Sequence, residues 1–425
     1  MMIASIRLLT LTCLFFLATT LFAADWVMFH GPDGKNWSPE TGLLTSWSEG
    51  GPTLLWKIDN IGEGVSGYSS VTIQNGRLFT SGIKNRRSVV FCFDIDTQQP
   101  LWEYDNGPAW TRNYVGTRST PTIDGELVYD LSALGELVCL KVSNGERVWG
   151  RNILTDFEGE NIVWALAESI RIDGDKLYCA PGGKKASFAA LNKRTGDIVW
   201  TTPSLEEKTS YACPIIIEQD DLRMIITTYA NGMFGVNAED GKLLFRFQHT
   251  QKFGINCTRP IYHDGYLFLT NTWDDRGSEG GGEGAVKLKL TITDGKISLD
   301  EVWRDRKLDN LHDSVMLIDG FLYGTSFGYR GGTFLCVDWE TGEARYEARN
   351  TGRNGALTWA EGLFYVLAEK GEMMLLRPNP EKFDVISQFT LPEGGEGPAW
   401  AHPVVCGKRL YIRHGTFLYC YDIAR

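Results

Sequence analysis

One short sequence pattern recurs along the chain and limits what it can fold into. Each copy ends in a turn and a brief strand that closes on a large aromatic residue. In the clearest copies, such as Asn192–Trp200, a glycine stands four residues before that aromatic. The closing aromatics are 43 to 58 residues apart and stand at Trp56, Trp102, Trp149, Trp200, Phe245, Trp303, Tyr346 and Phe389. A period of this length, built from short strands, predicts a β-propeller in which each repeat is one four-stranded blade.

A second pattern gives the number of blades. Within each repeat, a turn that usually has an acid or amide before glycine is followed by an apolar strand. Asp-Gly and Asn-Gly reach the positive φ values that tight hairpins require. The copies lie at residues 75–76, 124–125, 173–174, 220–221, 264–265, 319–320, 361–362 and 406–407, of which 220–221 (Asp-Asp) is degenerate. Eight innermost hairpins predict an all-β fold, an eight-bladed β-propeller.

The two ends of the repeat region predict how the ring closes. The last repeat stops near Tyr421 without a closing strand, whereas the strand around Trp56 has no repeat before it. We therefore expect the strand of Trp56 to complete the C-terminal blade by pairing with the strand of Tyr419 and Tyr421. On this layout residues 25–425 form a single propeller domain.

The closing aromatics are predicted to be structural. An aromatic side chain on the outermost strand can stack on the turn of the neighbouring blade, where a glycine allows close approach. Because this contact recurs around the ring, it would spread the adhesion between blades over many interfaces.

The cysteine positions favour free thiols. The same slot is occupied in four repeats by Cys92, Cys139, Cys336 and Cys420. Equivalent slots in different blades point into different cores, so we expect these residues to be small buried hydrophobic side chains. Cys213 with Cys257 is the least improbable disulfide, and its state is left open.

Residues 1–24 form a separate unit. Arg7 supplies a short positive region, an apolar run follows from Leu8 to Phe22, and small residues precede Asp25. This pattern predicts a secretory signal peptide, with an uncleaved anchor as the alternative. We expect an exported protein that is periplasmic or extracellular.

The charge balance limits the partners. Loss of Arg7 leaves 41 basic and 53 acidic residues, a net charge of −12, and no basic run. Such a chain has no general attraction to nucleic acid or anionic lipid. We expect neither nucleic-acid binding nor membrane insertion, and we expect a monomer.

The axial mouth of the propeller is the expected functional surface, because residues just ahead of each innermost strand line a central funnel. The candidate ligand-binding residues are Tyr68, Arg118, Trp164, Glu168, Tyr211, Arg259, His312, Asp313, Trp400 and His402, and Arg353 with Asn354 holds the equivalent position in another repeat. Cations beside flat aromatic faces suit an anionic small molecule, a sugar or an acidic peptide. The alternative is that Arg118 pairs with Glu168 and His312 with Asp313, which would only plug the tunnel.

No metal site is expected. His312 and His402 occupy matching slots of two blades that are not adjacent, and Asp313 is the one nearby candidate for a third ligand. The segment from Trp273 to Gly284 has acids among glycines and could be read as a calcium loop. Its spacing matches no EF-hand, so a solvated hairpin tip is the favoured interpretation.

The repeat ending Asn/Asp-x-x-Thr-Gly-x-x-x-Trp resembles the tryptophan-docking repeat of the quinoprotein alcohol dehydrogenase-like superfamily. The resemblance covers about residues 50–424. Some stretches look closer still to the exported PQQ-like repeat proteins named after the propeller lipoprotein of the β-barrel assembly machine. Those stretches are Gly67–Ser70, Gly116–Thr122, Leu308–Asp313 and Trp400–Pro403.

The resemblance implies quinone chemistry only for the catalytic members. They use pyrroloquinoline quinone and a calcium ion held by acid and amide groups. They also have an aspartate base, an arginine on the quinone, a tryptophan floor and a disulfide between adjacent cysteines. This sequence has no adjacent cysteine pair, it lacks the long insertions that roof the quinone, and no acid of the catalytic set can be matched in it.

We therefore expect a binding or scaffold module with a ligand or partner at the axial mouth and with no catalytic residue or cofactor assigned. Its partner is expected to be a protein or a small anionic or sugar ligand. The alternatives are a quinoprotein-type dehydrogenase that uses pyrroloquinoline quinone and calcium, and a carbohydrate-binding propeller.

Overall fold

The computed structural model describes residues 25–425 except residues 65, 252, 273–281, 328–331, 350 and 352–354. Its strands form eight sheets arranged as an eight-bladed β-propeller, which confirms the fold predicted from the repeats. The predicted signal peptide, most of the glycine-rich segment, Arg353 and Asn354 lie outside the described residues.

The described part of the chain contains 33 strands and one short helix. Two strands precede the first blade: β1 (Trp37–Ser38) and β2 (Thr53–Ile58). Blade 1 contains β3 (Thr72–Gln74), β4 (Arg77–Lys84), β5 (Arg87–Asp94) and β6 (Pro100–Pro108). Blade 2 contains β7 (Thr122–Asp124), β8 (Leu127–Leu131), β9 (Glu136–Lys141) and β10 (Arg147–Asn152), followed by the helix α1 (Ile153–Phe157). Blade 3 contains β11 (Arg171–Asp173), β12 (Lys176–Cys179), β13 (Phe188–Asn192) and β14 (Ile198–Thr202).

The remaining blades follow the same plan. Blade 4 contains β15 (Ile215–Gln219), β16 (Leu222–Tyr229), β17 (Gly232–Asn237) and β18 (Leu243–Gln248). Blade 5 contains β19 (Ile261–His263), β20 (Tyr266–Thr270), β21 (Ala285–Thr293) and β22 (Lys296–Asp305). Blade 6 contains β23 (Val315–Ile318), β24 (Phe321–Ser326), β25 (Thr333–Asp338) and β26 (Ala344–Arg349). Blade 7 contains β27 (Ala356–Ala360), β28 (Leu363–Leu367), β29 (Glu372–Arg377) and β30 (Asp384–Thr390). Blade 8 contains β31 (Val404–Cys406), β32 (Arg409–His414) and β33 (Phe417–Asp422).

The ring closes as the sequence predicts. The strand β2 pairs antiparallel with β33, so that Trp56 lies opposite Cys420 and Leu54 opposite Tyr421. Blade 8 thereby gains its fourth strand, and the open edge that β33 would present is covered.

The predicted hairpins form the inner half of each blade. Even the degenerate copy makes a tight turn, since Asp220 and Asp221 have φ values of 49° and 62°. Aspartate tolerates this left-handed conformation better than most residues, which explains why the hairpin survives without glycine.

The closing tryptophans dock on the neighbouring blade. The ring of Trp149 covers Gly196 so closely that a Cβ at this glycine would lie 2.7 Å from the indole, and its Nε1 donates to Lys193 O at 2.9 Å. Equivalent pairs join Trp102 to Gly145, Trp200 to Gly241 and Trp303 to Gly342, and Phe389 covers Gly51. Each docking tryptophan therefore binds the next turn by both stacking and a hydrogen bond, whereas Phe389 binds by stacking alone.

Each pair of adjacent blades encloses its own apolar cluster. The four cysteines in equivalent slots lie in four different clusters, as predicted from their positions: Cys92 between blades 1 and 2, Cys139 between blades 2 and 3, Cys336 between blades 6 and 7, and Cys420 between blades 8 and 1. The eight described cysteines, including Cys213 and Cys257, form no disulfide with one another.

Residues 26–38 lie across the central tunnel, a feature that the repeats do not predict. Trp26 pairs with β3, and Val27 accepts a hydrogen bond from β7 at 2.7 Å. Farther along, Asn36 accepts one from β27 at 2.9 Å, and Ser38 donates one to β31 at 2.7 Å. We call residues 26–38 the tunnel segment. Its last two residues form β1, which adds a parallel fifth strand to blade 7.

Candidate functional site

A cavity of about 460 Å³ opens at one face of the ring, where the connections between blades meet. Each connection carries the chain from the outermost strand of one blade to the innermost strand of the next, as the sequence interpretation requires. Eight of the ten predicted site residues line this cavity: Tyr68, Arg118, Trp164, Tyr211, His312, Asp313, Trp400 and His402. The connections thus bring together side chains that are far apart in the sequence.

Glu168 does not line the cavity as predicted, and the pair of Arg118 with Glu168 that the alternative interpretation requires does not form either. The Glu168 carboxylate is buried behind β12, where Oε2 accepts a hydrogen bond from Ala180 N at 3.0 Å and Oε1 has no partner. Burial raises the pKa of Glu168 to about 8, because an ionised carboxylate is poorly solvated there. The prediction erred because adjacent connections place the two side chains at different depths.

Arg259 also lies outside the cavity lining. It is buried beneath the cavity, with its Nε 3.6 Å from Asp313 Oδ1, and its backbone N–H donates to the same oxygen at 3.1 Å. Asp313 therefore pairs with Arg259, and the pair of His312 with Asp313 that the alternative interpretation requires does not form. Burial raises the pKa of Asp313 to about 6, although the neighbouring Arg259 opposes that shift.

Arg118 is the cation of the cavity wall. Its guanidinium donates to the carbonyl oxygens of Gly116 at 2.7 Å and Tyr114 at 2.6 Å, which fixes its orientation. Its Cζ lies 5.8 Å from the Tyr68 ring centroid and 5.9 Å from that of Trp110. Among the described residues, no carboxylate lies within ion-pair distance of it. Burial lowers the pKa of Arg118 to about 10, so it keeps its charge at neutral pH.

Two groups of aromatic side chains form the walls. In the first, Trp400 contacts Tyr68, Tyr114 and His312, with ring centroids 4.6 to 5.1 Å apart. In the second, Trp164 lies 6.5 Å from Tyr211 and 6.0 Å from Phe253.

The walls offer mainly hydrogen-bond donors to a ligand. Within the described residues, the Tyr68 hydroxyl and the Trp164 indole N–H have no hydrogen-bond partner. The Tyr211 hydroxyl oxygen accepts from Trp164 N at 3.3 Å, which leaves its own proton available. Donors around one cation, between flat apolar faces, suit an anionic group attached to a planar or apolar body.

The tunnel segment forms part of the floor. Phe29 lines the cavity, and His30 is buried beside it, with Nε2 3.4 Å from Asp313 Oδ2 but without hydrogen-bond geometry. Burial and the positive charge of Arg259 hold the pKa of His30 well below its usual value. His30 is therefore neutral, and Arg259 supplies the charge that balances Asp313.

His402 is a structural histidine with both ring nitrogens engaged. Its Nδ1 lies 2.9 Å from the Asn36 amide nitrogen, and its Nε2 lies 2.9 Å from His312 O. The same Asn36 amide nitrogen donates to Leu357 O, and because a carbonyl oxygen can only accept, this nitrogen is also the donor to Nδ1. His402 must then carry its proton on Nε2, and burial lowers its pKa to about 4.

Two histidines that the sequence placed in non-adjacent blades therefore meet across the tunnel. Because His402 uses both nitrogens, it has none left for a metal ion. Burial lowers the pKa of His312 to about 3, so the His312 ring is neutral as well.

Sequence reasoning missed part of the lining, namely Phe29, Tyr114, Ala167, Gln251, Phe253, Ile255, Cys257, Thr272, Leu311, Phe327 and Glu369. Most of these lie on the same connections as the predicted residues, a few positions away. Thr272, Phe327 and Glu369 follow the second strand of their blades, at turns on the same face of the ring. The turn after the second strand of each blade lies on the same face as the connections, so the blade layout could have indicated those three residues. Nothing in the repeats indicates Phe29.

The residues around the cavity do not fit the calcium-bound quinone of the catalytic superfamily members. The two carboxylates that line the cavity already have partners in the protein. Asp313 contacts Arg259, and Glu369 accepts a hydrogen bond from the Trp400 indole at 3.2 Å. In the described ranges, no three His, Cys, Asp or Glu side chains come together as metal ligands. An ion that prefers six to eight oxygen ligands finds no such donor set here.

One protein family matches well over half of the chain. The sequence profile described as Outer membrane protein assembly factor BamB (PQQ_2) matches residues 27–185 and 164–296. Within the described residues, no helix is long and apolar enough to cross a membrane.

The curated relatives of the chain include both a dehydrogenase and an assembly factor. The chain is 24% identical over 203 residues to the quinoprotein alcohol dehydrogenase PedH of Pseudomonas putida, which covers 45% of this chain and 31% of the relative. It is 21% identical over 211 residues to the outer membrane protein assembly factor BamB of Kangiella koreensis, which covers 49% of each. The matched region thus spans from just under a third to about half of these relatives' lengths.

Solved structures share the fold. BamB from Moraxella catarrhalis superposes with a TM-score of 0.58 at 14% identity, over 88% of this chain and 100% of that one. The quinohemoprotein alcohol dehydrogenase from Comamonas testosteroni gives a TM-score of 0.63 at 12% identity, over 95% of this chain and 81% of that one. At these identities the likeness shows the fold alone.

Proposed function

The chain belongs to the family of PQQ-like repeat proteins described as Outer membrane protein assembly factor BamB, and on that premise we propose that it is a binding module. It holds the anionic group of a ligand or protein partner at the axial mouth. The observation that carries this proposal is Arg118, a cation inside an aromatic cavity with no carboxylate partner among the described residues.

The energetics favour an anion at this place. A cation taken out of water loses solvation, and three carbonyl dipoles restore only part of it. A carboxylate brought to the remaining N–H groups would form charge-assisted hydrogen bonds in a partly desolvated site, where they are strong. The aromatic walls would cover the rest of the ligand.

Export is part of the proposal. Residues 1–24 have the charged start, apolar run and small residues of a secretory signal peptide, and the propeller at 25–425 would be released to the periplasm or the cell exterior. The relatives named as outer membrane protein assembly factors favour a protein partner over a free metabolite. We propose that the module acts as a monomer, because the ring closes on itself within one chain.

A quinoprotein-type dehydrogenase is the second candidate, favoured by the similarity to PedH. The donor set of the cavity argues against it, because the two lining carboxylates are paired within the protein. The same binding experiment can separate the two candidates.

The test is a titration followed by tryptophan fluorescence, since Trp164 and Trp400 both line the cavity. We expect galacturonate and phenylacetate to change the emission and galactose to leave it unchanged. Arg118→Gln should weaken carboxylate binding roughly tenfold or more, because a hydrogen bond to a charged group is lost. Arg194→Gln, an exposed arginine at a hairpin turn of the opposite face, is the matched control.

Two outcomes would overturn the proposal. One is equal binding of carboxylates by the wild type and Arg118→Gln. The other is a response to pyrroloquinoline quinone that requires Ca²⁺ and is accompanied by dye-linked alcohol oxidation, which would establish the dehydrogenase instead.

A further inference from the structure

A second concavity lies beside the axial cavity on the same face of the ring. It is a groove of about 430 Å³, bordered by Trp110, Arg112, Leu134, Asn161, Ile162, Val163, Lys208, Ala230 and Phe253, among others. These residues belong to the connections and turns of blades 1 to 5. We call it the rim groove.

The rim groove and the cavity are continuous through shared side chains. Phe253 borders both, and its ring meets that of Trp164, which lines the cavity, at 6.0 Å. Trp110 lines the groove, and two guanidinium groups lie near its indole: Arg118 of the cavity at 5.9 Å and Arg112 of the groove at 5.4 Å. A ligand that occupies both concavities would pass these two cations in succession.

The groove presents apolar surface to solvent. Val163 is 50% exposed and Phe253 is 54% exposed, and both stand beside buried or half-buried apolar side chains. Exposed apolar side chains that cluster in a concave surface mark an interaction site more often than scattered ones do.

The charge of the groove is complementary to an acidic ligand. No Asp or Glu is among its described lining residues, whereas Arg112 and Lys208 are. Lys208 is paired with Glu160 at 3.0 Å, but Arg112 has no carboxylate within ion-pair distance among the described residues. Against a strongly negative chain, Arg112 and Arg118 form a local positive area.

The chemistry of the groove favours a peptide over a sugar chain. Sugar hydroxyls need acceptors as well as donors along their length. Arg112 and Lys208 can only donate, Thr111 and Thr209 add single hydroxyls, and the Asn161 side chain is already used. Its nitrogen donates to Ala133 O at 2.9 Å and its oxygen accepts from Ile162 N at 2.8 Å. The aliphatic side chains of Leu134, Ile162 and Val163 suit the aliphatic and aromatic side chains of a polypeptide.

From these observations we infer that the mouth binds an extended acidic peptide segment of a protein partner. An acidic residue sits at Arg118 in the cavity, and neighbouring apolar residues lie along the rim groove, with a second acid at Arg112. The inference rests on the proposed function and deepens it by naming the partner's chemistry.

The test measures the anisotropy of a short fluorescein-labelled peptide in which Asp alternates with Leu and Phe. We expect the wild type to bind this peptide and to ignore two relatives of it, one with Lys for Asp and one with Ser for the apolar residues. Val163→Asp should weaken binding roughly tenfold or more, because it places a like charge in the groove. The matched control is Val199→Asp on the outer strand β14, where the side chain is 48% exposed, and it should bind like the wild type.

The arms separate the inference from the proposed function. If Arg118→Gln loses the peptide but Val163→Asp and Val199→Asp bind it alike, the groove inference is overturned and the cavity proposal stands. If the wild type does not bind the peptide, the peptide inference is overturned. If Arg118→Gln binds every carboxylate and the peptide as well as the wild type does, the proposed function fails. Circular dichroism melting of each variant confirms that it is folded.

Discussion

Residues at equivalent positions of the repeats can lie at different depths in the folded protein. Arg118 and Glu168 both stand just ahead of an innermost strand, yet Arg118 lines the cavity and Glu168 is 3% exposed behind it. The sequence predicts the position of both along the connection. It does not predict which way each side chain turns, because that depends on packing against neighbouring connections.

Glu168 leads to a prediction about pH. The pKa of its carboxyl is about 8 in the folded protein and near 4.5 ordinarily, so the folded state holds a proton that the unfolded state releases. The free energy of unfolding should therefore fall as pH rises through this window, by up to about 1.4 kcal/mol per pH unit from this group. The side chain of Glu168→Gln cannot ionise. The free energy of unfolding of this variant minus that of the wild type should therefore rise from about pH 5 to about pH 8 and then level off.

Urea unfolding across this range measures the effect. Histidines with lowered pKa values make the free energy of unfolding rise with pH below their ordinary pKa. This contribution is the same in the wild type and in Glu168→Gln, so it cancels when the two free energies are subtracted. The exposed Glu126→Gln controls for the loss of one charge. Parallel stability curves for the wild type and Glu168→Gln would show that the buried carboxyl is ionised in the folded protein.

At the scale of the element, adhesion between blades depends on one glycine in each docking pair. Gly196 has φ of +76°, and a Cβ there would lie 2.7 Å from the Trp149 ring. Gly174, in the same blade, has φ of +57° but has open space around it. Both glycines have a positive φ that strains other residues, but only Gly196 is covered by a docked aromatic side chain.

We therefore expect different costs for the same substitution. Gly174→Ala should lower the free energy of unfolding by about 1–2 kcal/mol through backbone strain alone. Gly196→Ala should lower it by about 2–4 kcal/mol, because the new methyl group also displaces the indole. Thermal and urea unfolding of the two variants measure the difference. Equal costs would mean that the stacked tryptophan adjusts freely and contributes little to the interface.

The elements that the sequence predicts well are those with a repeated local cause. The hairpins follow from Asp-Gly and Asn-Gly turns, and the docking strands follow from the glycine-to-tryptophan spacing, so both recur and reinforce each other. The parallel strand β1 has no such cause. Trp37 and Ser38 pair with β27 only because the tunnel segment passes beside it.

At the scale of the whole molecule, the ring and its closure could be predicted, whereas the filling of the tunnel could not. Closure follows from counting, since one repeat lacks its last strand and one strand lacks its repeat. The tunnel segment precedes the first repeat and contacts blades 1, 2, 7 and 8 through individual hydrogen bonds. Phe29 and His30, which shape the cavity floor, were missed for this reason.

Two deletions distinguish the segment that fills the ring from the strand that closes it. Removal of residues 25–36 takes away Trp26, Phe29 and Asn36 but leaves β2 paired with β33, so we expect a monomeric propeller with a lower melting temperature. Removal of residues 25–58 also takes away β2, which exposes the backbone of β33 and removes the docking aromatic Trp56. An uncovered edge pairs with other chains, so this protein should form higher-order species and lose its cooperative transition. Size-exclusion chromatography with light scattering and circular dichroism melting compare the two. A monomeric, cooperatively melting protein without residues 25–58 would show that seven complete blades and a three-stranded eighth hold the ring without its closing strand.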